Sequence, residues 1–134
     1  MMPPFIFCVN LIIPGRPHHH LVMYFGIDDL ANLGLEEGSK KHPYSTSLKK
    51  FLFGNSNEYR NKTLKFIADV KEGGFLLKTA VGARPFIIGK YMKQKFIRGD
   101  RYLEVIVDVG SSPTFEKLLR LNSKYVSSML YKVE

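Results

Sequence analysis

Among its 134 residues the chain has one cysteine, Cys8, and no tryptophan. A single thiol excludes an internal disulfide framework and any zinc site built on several cysteines of this chain, and it points to a reducing compartment. Long apolar runs are missing as well. The most hydrophobic stretch, Phe5 to Ile13, is interrupted at Asn10 and stopped at Pro14, well short of the ~20 residues a membrane-spanning helix needs. Neither a GxxxxGK[ST] nor a GxGxxG pattern occurs, which leaves the familiar nucleotide-binding loops without support. The opening Met1-Met2-Pro3-Pro4 puts no basic residue ahead of the apolar stretch, so it makes a poor signal peptide. A cytoplasmic location is expected. Acidic residues are scarce relative to basic ones: 12 Asp and Glu stand against 20 Lys and Arg, a formal net charge of +8.

That excess is uneven. Residues 1–39 hold Arg16 against Asp28, Asp29, Glu36 and Glu37, so the basic character belongs to residues 40–134. Such a surface attracts lipid headgroups and nucleic-acid phosphates alike without choosing between them. With 45% hydrophobic and 24% charged residues, the chain has the composition of one globular domain spanning 1–134.

Phe5 to Ile13 reads as a buried strand ending at the breaker cluster Pro14-Gly15-Arg16-Pro17. Leu21 to Ile27 reads as its antiparallel neighbour. Residues 28–61 are punctuated by Gly34, Gly38, Pro43 and Gly54 and are expected to be a long insertion or loop, with a short helix over Ser47 to Phe53. Thr63 to Val70 and Phe75 to Val81 flank Gly73-Gly74 like a hairpin. Lys90 to Ile97 and Tyr102 to Val109 flank Arg98-Gly99-Asp100-Arg101 in the same way. In the last strand Leu103, Val105, Val107 and Val109 alternate with Tyr102, Glu104, Ile106 and Asp108, so one side is core. Ser112 then caps, Pro113 suits a first helical position, and Glu116 sits near the positive end of the helix dipole. From there Phe115, Leu118, Leu119, Val126, Met129, Leu130 and Val133 recur at helical spacing. The fold class expected is α+β: a curved antiparallel sheet of about six strands with an amphipathic C-terminal helix packed across it, so that the sheet grips the helix.

The candidate chemistry is thin. His18 and His20 share one side of a strand and offer two imidazoles, yet no convincing third ligand lies nearby, so a polar loop ending is the better reading. Cys8 lies in the most apolar strand and has no identifiable His partner, which argues against a nucleophile. Glu104 and Asp108 are too far apart for paired acid and base work. No catalytic residue, cofactor or metal is expected. Lys93, Lys95, Arg98 and Arg101, interleaved with aromatics, are the candidate anion or headgroup site, although strand alternation lets only part of the set share one side.

Several unlinked motifs together resemble a known family. Ile13-Pro14-Gly15 with Pro17-His18 and Leu21-Val22-Met23-Tyr24-Phe25, then Arg60-Asn61, Lys78 to Gly82, Gly89-Lys90, Arg98 to Val105 and Asp108 to Ser112 are similar, in order and spacing, to the C-terminal domain of the plant enhanced-disease-resistance 2 proteins. The match runs from about Phe5 to Glu134. The resemblance implies a domain with no agreed enzymatic activity, often found downstream of pleckstrin-homology and START lipid-transfer domains. Departures lie in Leu35 to Ser56, which is longer and more basic than the family pattern, and in the terminal helix with its Lys117, Arg120 and Lys124.

Three functions follow as expectations. The first is a non-enzymatic, lipid-associated or peripheral membrane module. In it a hydrophobic ligand lies between sheet and C-terminal helix, in a pocket of Leu77, Val105, Val107, Phe115, Leu118, Leu119 and Met129, and anionic lipid meets the basic residues. The plain reading of those apolar residues is that they fill the core. The second is a protein-interaction or regulatory domain whose apolar strands are covered by a missing N-terminal part, another protein or a second copy. Nucleic-acid binding through the basic face ranks third, since only charge supports it.

Overall fold

A computed structural model describes residues 2–67 and 85–121, the last four of these by backbone alone. In chain order the elements are β1 (Phe5–Ile13), β2 (His19–Ile27), α1 (Ser45–Phe53), α2 (Asn57–Thr63), β3 (Lys65–Phe66), β4 (Phe86–Ile87), a one-turn 3₁₀ helix (Ile88–Lys90), β5 (Lys93–Arg98), β6 (Tyr102–Asp108), a second 3₁₀ turn (Val109–Ser111) and α3 (Pro113–Leu121). This is an α+β architecture.

The main sheet has four strands in the order β2-β1-β6-β5. β1 and β2 pair antiparallel from Phe5↔Ile27 to Ile13↔His19, joined by a turn in which Arg16–Pro17 is cis. β5 and β6 pair antiparallel, with Gly99 N–H donating to the Tyr102 carbonyl at 2.9 Å across the turn. The two hairpins meet through a parallel pairing of β1 and β6, from Ile6↔Tyr102 to Ile12↔Asp108. The expected all-antiparallel, six-stranded sheet is therefore corrected. Among the described residues the sheet is mixed and four-stranded, and β3 and β4 form a separate two-stranded ladder. A parallel pair needs a crossover, which here runs through everything between β2 and β6.

Alternation sorts the residues onto two faces. Phe5, Phe7, Val9 and Leu11 of β1 share the inner face with Leu103, Val105 and Val107 of β6, and the last three are completely buried. Two clusters cover that face. Leu35, Phe51 and Leu52 pack on Phe5 and Leu103 at one end, and Ile88, Met92 and Val109 pack on Val9, Val105 and Val107 at the other. Residues 28–61, although mostly exposed, thus contribute Leu35, Phe51 and Leu52 to the core.

Local chemistry accounts for these elements. α1 turns Phe51 and Leu52 inward. Its start is fixed by the buried Ser45 hydroxyl, which donates to the Leu33 carbonyl at 2.8 Å and accepts from His42 N–H at 2.8 Å. Gly34 adopts a φ of 71°, and a Cβ there would collide with Ser45 Oγ, so only glycine suits the position. α2 replaces the start of the strand expected from Thr63. Ser56 caps it by accepting from Tyr59 N–H at 3.0 Å, and Lys62 pairs with Glu58 at 2.7 Å one turn away. In the described part of that expected strand Lys65–Phe66 form a ladder strand; residues 68–70 and the expected strand Phe75 to Val81 lie outside the described residues. Ser112 does cap α3, its hydroxyl accepting from Phe115 N–H at 3.4 Å. Phe115, in the first turn of α3, packs against the inner-face cluster of Val9, Val105 and Val107 and lies beside Phe86 and Tyr91, with ring centres 5.8 and 6.5 Å away.

Candidate functional site

Among the described residues an apolar concavity opens between the inner face of β1–β2 and the two short helices. Phe7 and Phe25 are register partners with rings 6.1 Å apart, and Phe51 meets Phe7 edge-on at 5.7 Å. With Ile27, Leu48 and Leu64 they wall a cleft of about 410 Å³. Leu48 comes one helical turn before Phe51 and Leu52, which is why α1 presents all three to the sheet. Lys65 and Tyr44 also line the cleft. On the far side of α1, Lys41, Lys49 and Lys50 border a smaller depression of about 310 Å³, and Lys50 Nζ sits 4.3 Å above the Tyr59 ring. A helix with apolar cleft on one side and lysines on the other can accept a molecule that is oily at one end and anionic at the other.

Two arginines hold α1 in place. Arg60 is wholly buried. It donates from Nε to the Phe51 carbonyl at 2.5 Å, from Nη1 to Asn57 Oδ1 at 2.9 Å, and from Nη2 to the Gly54 carbonyl. Arg98 donates to the same Gly54 carbonyl at 2.8 Å and to Asn55 Oδ1 at 3.0 Å. Both cations therefore meet the negative end of the α1 dipole and its unpaired terminal carbonyls. Burial, and then the neighbouring Arg98, hold the Arg60 guanidinium below the usual arginine value. On the opposite face of the sheet, Cys8 lies beside its register partner Glu104. Burial and then that carboxylate push its thiol up, which leaves little thiolate for nucleophilic work.

Of the expected ligand pocket, the side chains described are Val105, Val107 and Phe115. Val105 and Val107 are fully buried beside Val9, Ile88 and Met92, and Phe115 packs against the same cluster together with Phe86. Leu77 and Met129 lie outside the described residues, and Leu118 and Leu119 are placed by backbone only. The four candidate headgroup residues are separated. Lys93 and Lys95 project from the outer face of β5, Arg98 turns inward to the end of α1, and Arg101 reaches the Pro3 carbonyl at 3.4 Å. The cleft as a unit escaped the sequence reading because Phe7 and Phe25 meet across a hairpin while Leu48 and Leu64 come from separate later elements.

Comparison with known proteins agrees with the motif resemblance. The family described as Protein ENHANCED DISEASE RESISTANCE 2, C-terminal, matches residues 1–133. The chain belongs to this family. A relative from Arabidopsis thaliana, Protein ENHANCED DISEASE RESISTANCE 2-like, is 31% identical over 125 residues, which cover 93% of this chain and 16% of the relative. The chain thus spans about a sixth of that relative's length. No solved structure matches it. In this member of the enhanced-disease-resistance 2 family, motifs far apart in sequence meet in space. Gly89 lies so close to Asn61 that a Cβ would overlap its carbonyl, Gln94 Nε2 donates to Asn61 Oδ1 at 2.9 Å, and the preceding Arg60 anchors α1.

Proposed function

We propose that this domain is a non-enzymatic, lipid-associated module of a larger regulatory protein, with an acyl chain or similar apolar ligand held between β1–β2 and α1–α2. This reading puts the ligand at the cleft, whereas the sequence suggested a pocket beside the C-terminal helix. The observation that carries the reading is the cleft itself: about 410 Å³ walled by Phe7, Phe25, Ile27, Leu48, Phe51 and Leu64. That size falls in the range of small-molecule sites, about 300–1,000 Å³. Lys65 at the cleft and Lys41, Lys49 and Lys50 beyond α1 suit an anionic headgroup, each near-surface cation being worth about 1 kcal/mol at an anionic membrane.

The test is titration of the purified chain with cis-parinaric acid, followed by fluorescence and by displacement with phospholipid. Saturable binding is expected, and Leu48→Trp, which fills the cleft, should weaken it at least tenfold while circular dichroism stays unchanged. Equal binding by the variant, or no saturable binding at all, overturns the reading.

A second reading, a protein-interaction module without ligand, is favoured by the outer face of the sheet, where Val22, Tyr24, Ile97 and Tyr102 are exposed. Light scattering separates the two: a monomer that retains extractable lipid supports the first, and a lipid-free dimer supports the second. Nucleic-acid binding draws less support, because Lys93 and Lys95 face away from Arg98.

A further inference from the structure

The turn between β1 and β2 brings two imidazoles together. His18 and His20 flank the start of β2 on one side of the chain, with ring centres 5.2 Å apart and planes inclined by 63°. His20 Nδ1 lies 2.9 Å from Asn10 Oδ1, on the neighbouring strand. Because that amide oxygen can only accept, His20 carries its proton on Nδ1 and leaves the Nε2 lone pair free. A ligating histidine is commonly oriented by a hydrogen bond of this kind from its other ring nitrogen.

The spacing matches chelation. A zinc ion stands about 2.1 Å from each ligating nitrogen and so about 3.2 Å from each ring centre, which puts two imidazoles at tetrahedral positions about 5.2 Å apart. An edge-to-face ring pair also tolerates centre distances of about 4.5–7 Å, so the ion decides between the two. His19, between them, pairs with Ile13 and points to the other face by alternation. All three histidines are exposed, so an ion can enter and leave freely.

We propose that His18 and His20 form a two-imidazole site for a borderline divalent transition metal of the Zn²⁺ type, oriented by Asn10. No group of three His, Cys, Asp or Glu side chains is placed to hold a metal among the described residues. The remaining coordination positions are open to water or to a further donor. This makes the site exchangeable, in contrast to the closed four-ligand sites that hold structural zinc.

Isothermal titration of the purified chain with ZnCl₂ in a non-coordinating buffer is the test, together with long-range ¹H–¹⁵N spectra of the imidazoles. Saturable binding of one ion per chain is expected, with shifts at the His18 and His20 rings and none at His19 or His42. His18→Gln and His20→Gln should each weaken binding at least tenfold, and Asn10→Ala should weaken it by about tenfold, the low end for loss of a supporting hydrogen bond. His19→Gln should bind as the parent does. Because the three histidines are exposed, circular dichroism of each histidine variant should match the parent. No saturable binding, equal loss in His19→Gln, or unchanged affinity in both flanking variants would overturn the proposal.

Discussion

The two faces of the one sheet differ sharply. On β6, Leu103, Val105 and Val107 show no exposed surface at all, whereas their neighbour Tyr102 is 45% exposed, and Tyr24 on β2 of the same outer face is 73% exposed. Over β1 and β6 the inner face is covered by two short helices and a 3₁₀ turn, drawn from segments poor in regular apolar pattern. The outer face has no such cover among the described residues. The difference teaches that apolar sequence alone does not say which side of a strand becomes core. β1 is apolar on both sides, and its inner side becomes core because residues 35–52 and 88–92 fold over it.

The largest effect should come from hollowing the inner face. Leu103→Ala removes a wholly buried side chain and is expected to cost about 2–5 kcal/mol, read from urea unfolding. Tyr102→Ala, one residue along and on the other face, should stay within about 0.5 kcal/mol. Equal costs would erase the contrast between the faces.

Next comes the anchor of the helical cover. Arg60→Met leaves the Phe51 and Gly54 carbonyls short of a buried donor, worth about 1–3 kcal/mol, and Arg98→Met should cost less because Arg98 is exposed. If both variants melt alike, Arg60 does not carry the cover.

A smaller effect probes the outer face directly. Burial and then Glu104 raise the Cys8 thiol value, so iodoacetamide at mildly alkaline pH should modify the folded chain more slowly than the chain in urea. Glu104→Gln should speed the folded reaction, because removing the carboxylate lowers the thiol value and enlarges the thiolate fraction.

The smallest concerns α2. The hydrogen bond and charge of Lys62 hold the Glu58 carboxyl below its usual value. Its contribution is present above the unfolded-state value and disappears as pH falls through the folded one. In Lys62→Ala the Glu58 titration followed by ¹³C NMR should move up, with no resolvable change in melting temperature at neutral pH, as expected of an exposed pair.

Much of this architecture is legible from residues close together in sequence. β1, β2, β5 and β6, the helix at Phe51, and the Ser112–Pro113 start of α3 all carry their signals locally, as alternation, turn residues or a cap. α2 does not, since Asn57 to Thr63 has no apolar stripe and is held instead by the Ser56 cap and the buried Arg60. The parallel pairing of β1 with β6 is equally silent, because nothing in either strand specifies its partner's direction. The cleft was hidden as well: Phe7, Phe25, Leu48 and Leu64 are ordinary core candidates one by one, and they come from a hairpin and two separate later elements.

Seating the first strand beside the last has a consequence for synthesis. When Phe5–Ile13 leaves the ribosome its hairpin mate follows at once, but the neighbour on its other flank, Tyr102–Asp108, is translated only after some ninety more residues of chain. Until then a sticky ribbon waits with half its amides and carbonyls unclaimed, a situation that slows assembly and invites strangers. Nascent chains stalled before Tyr102 should be the ones that chaperones hold longest.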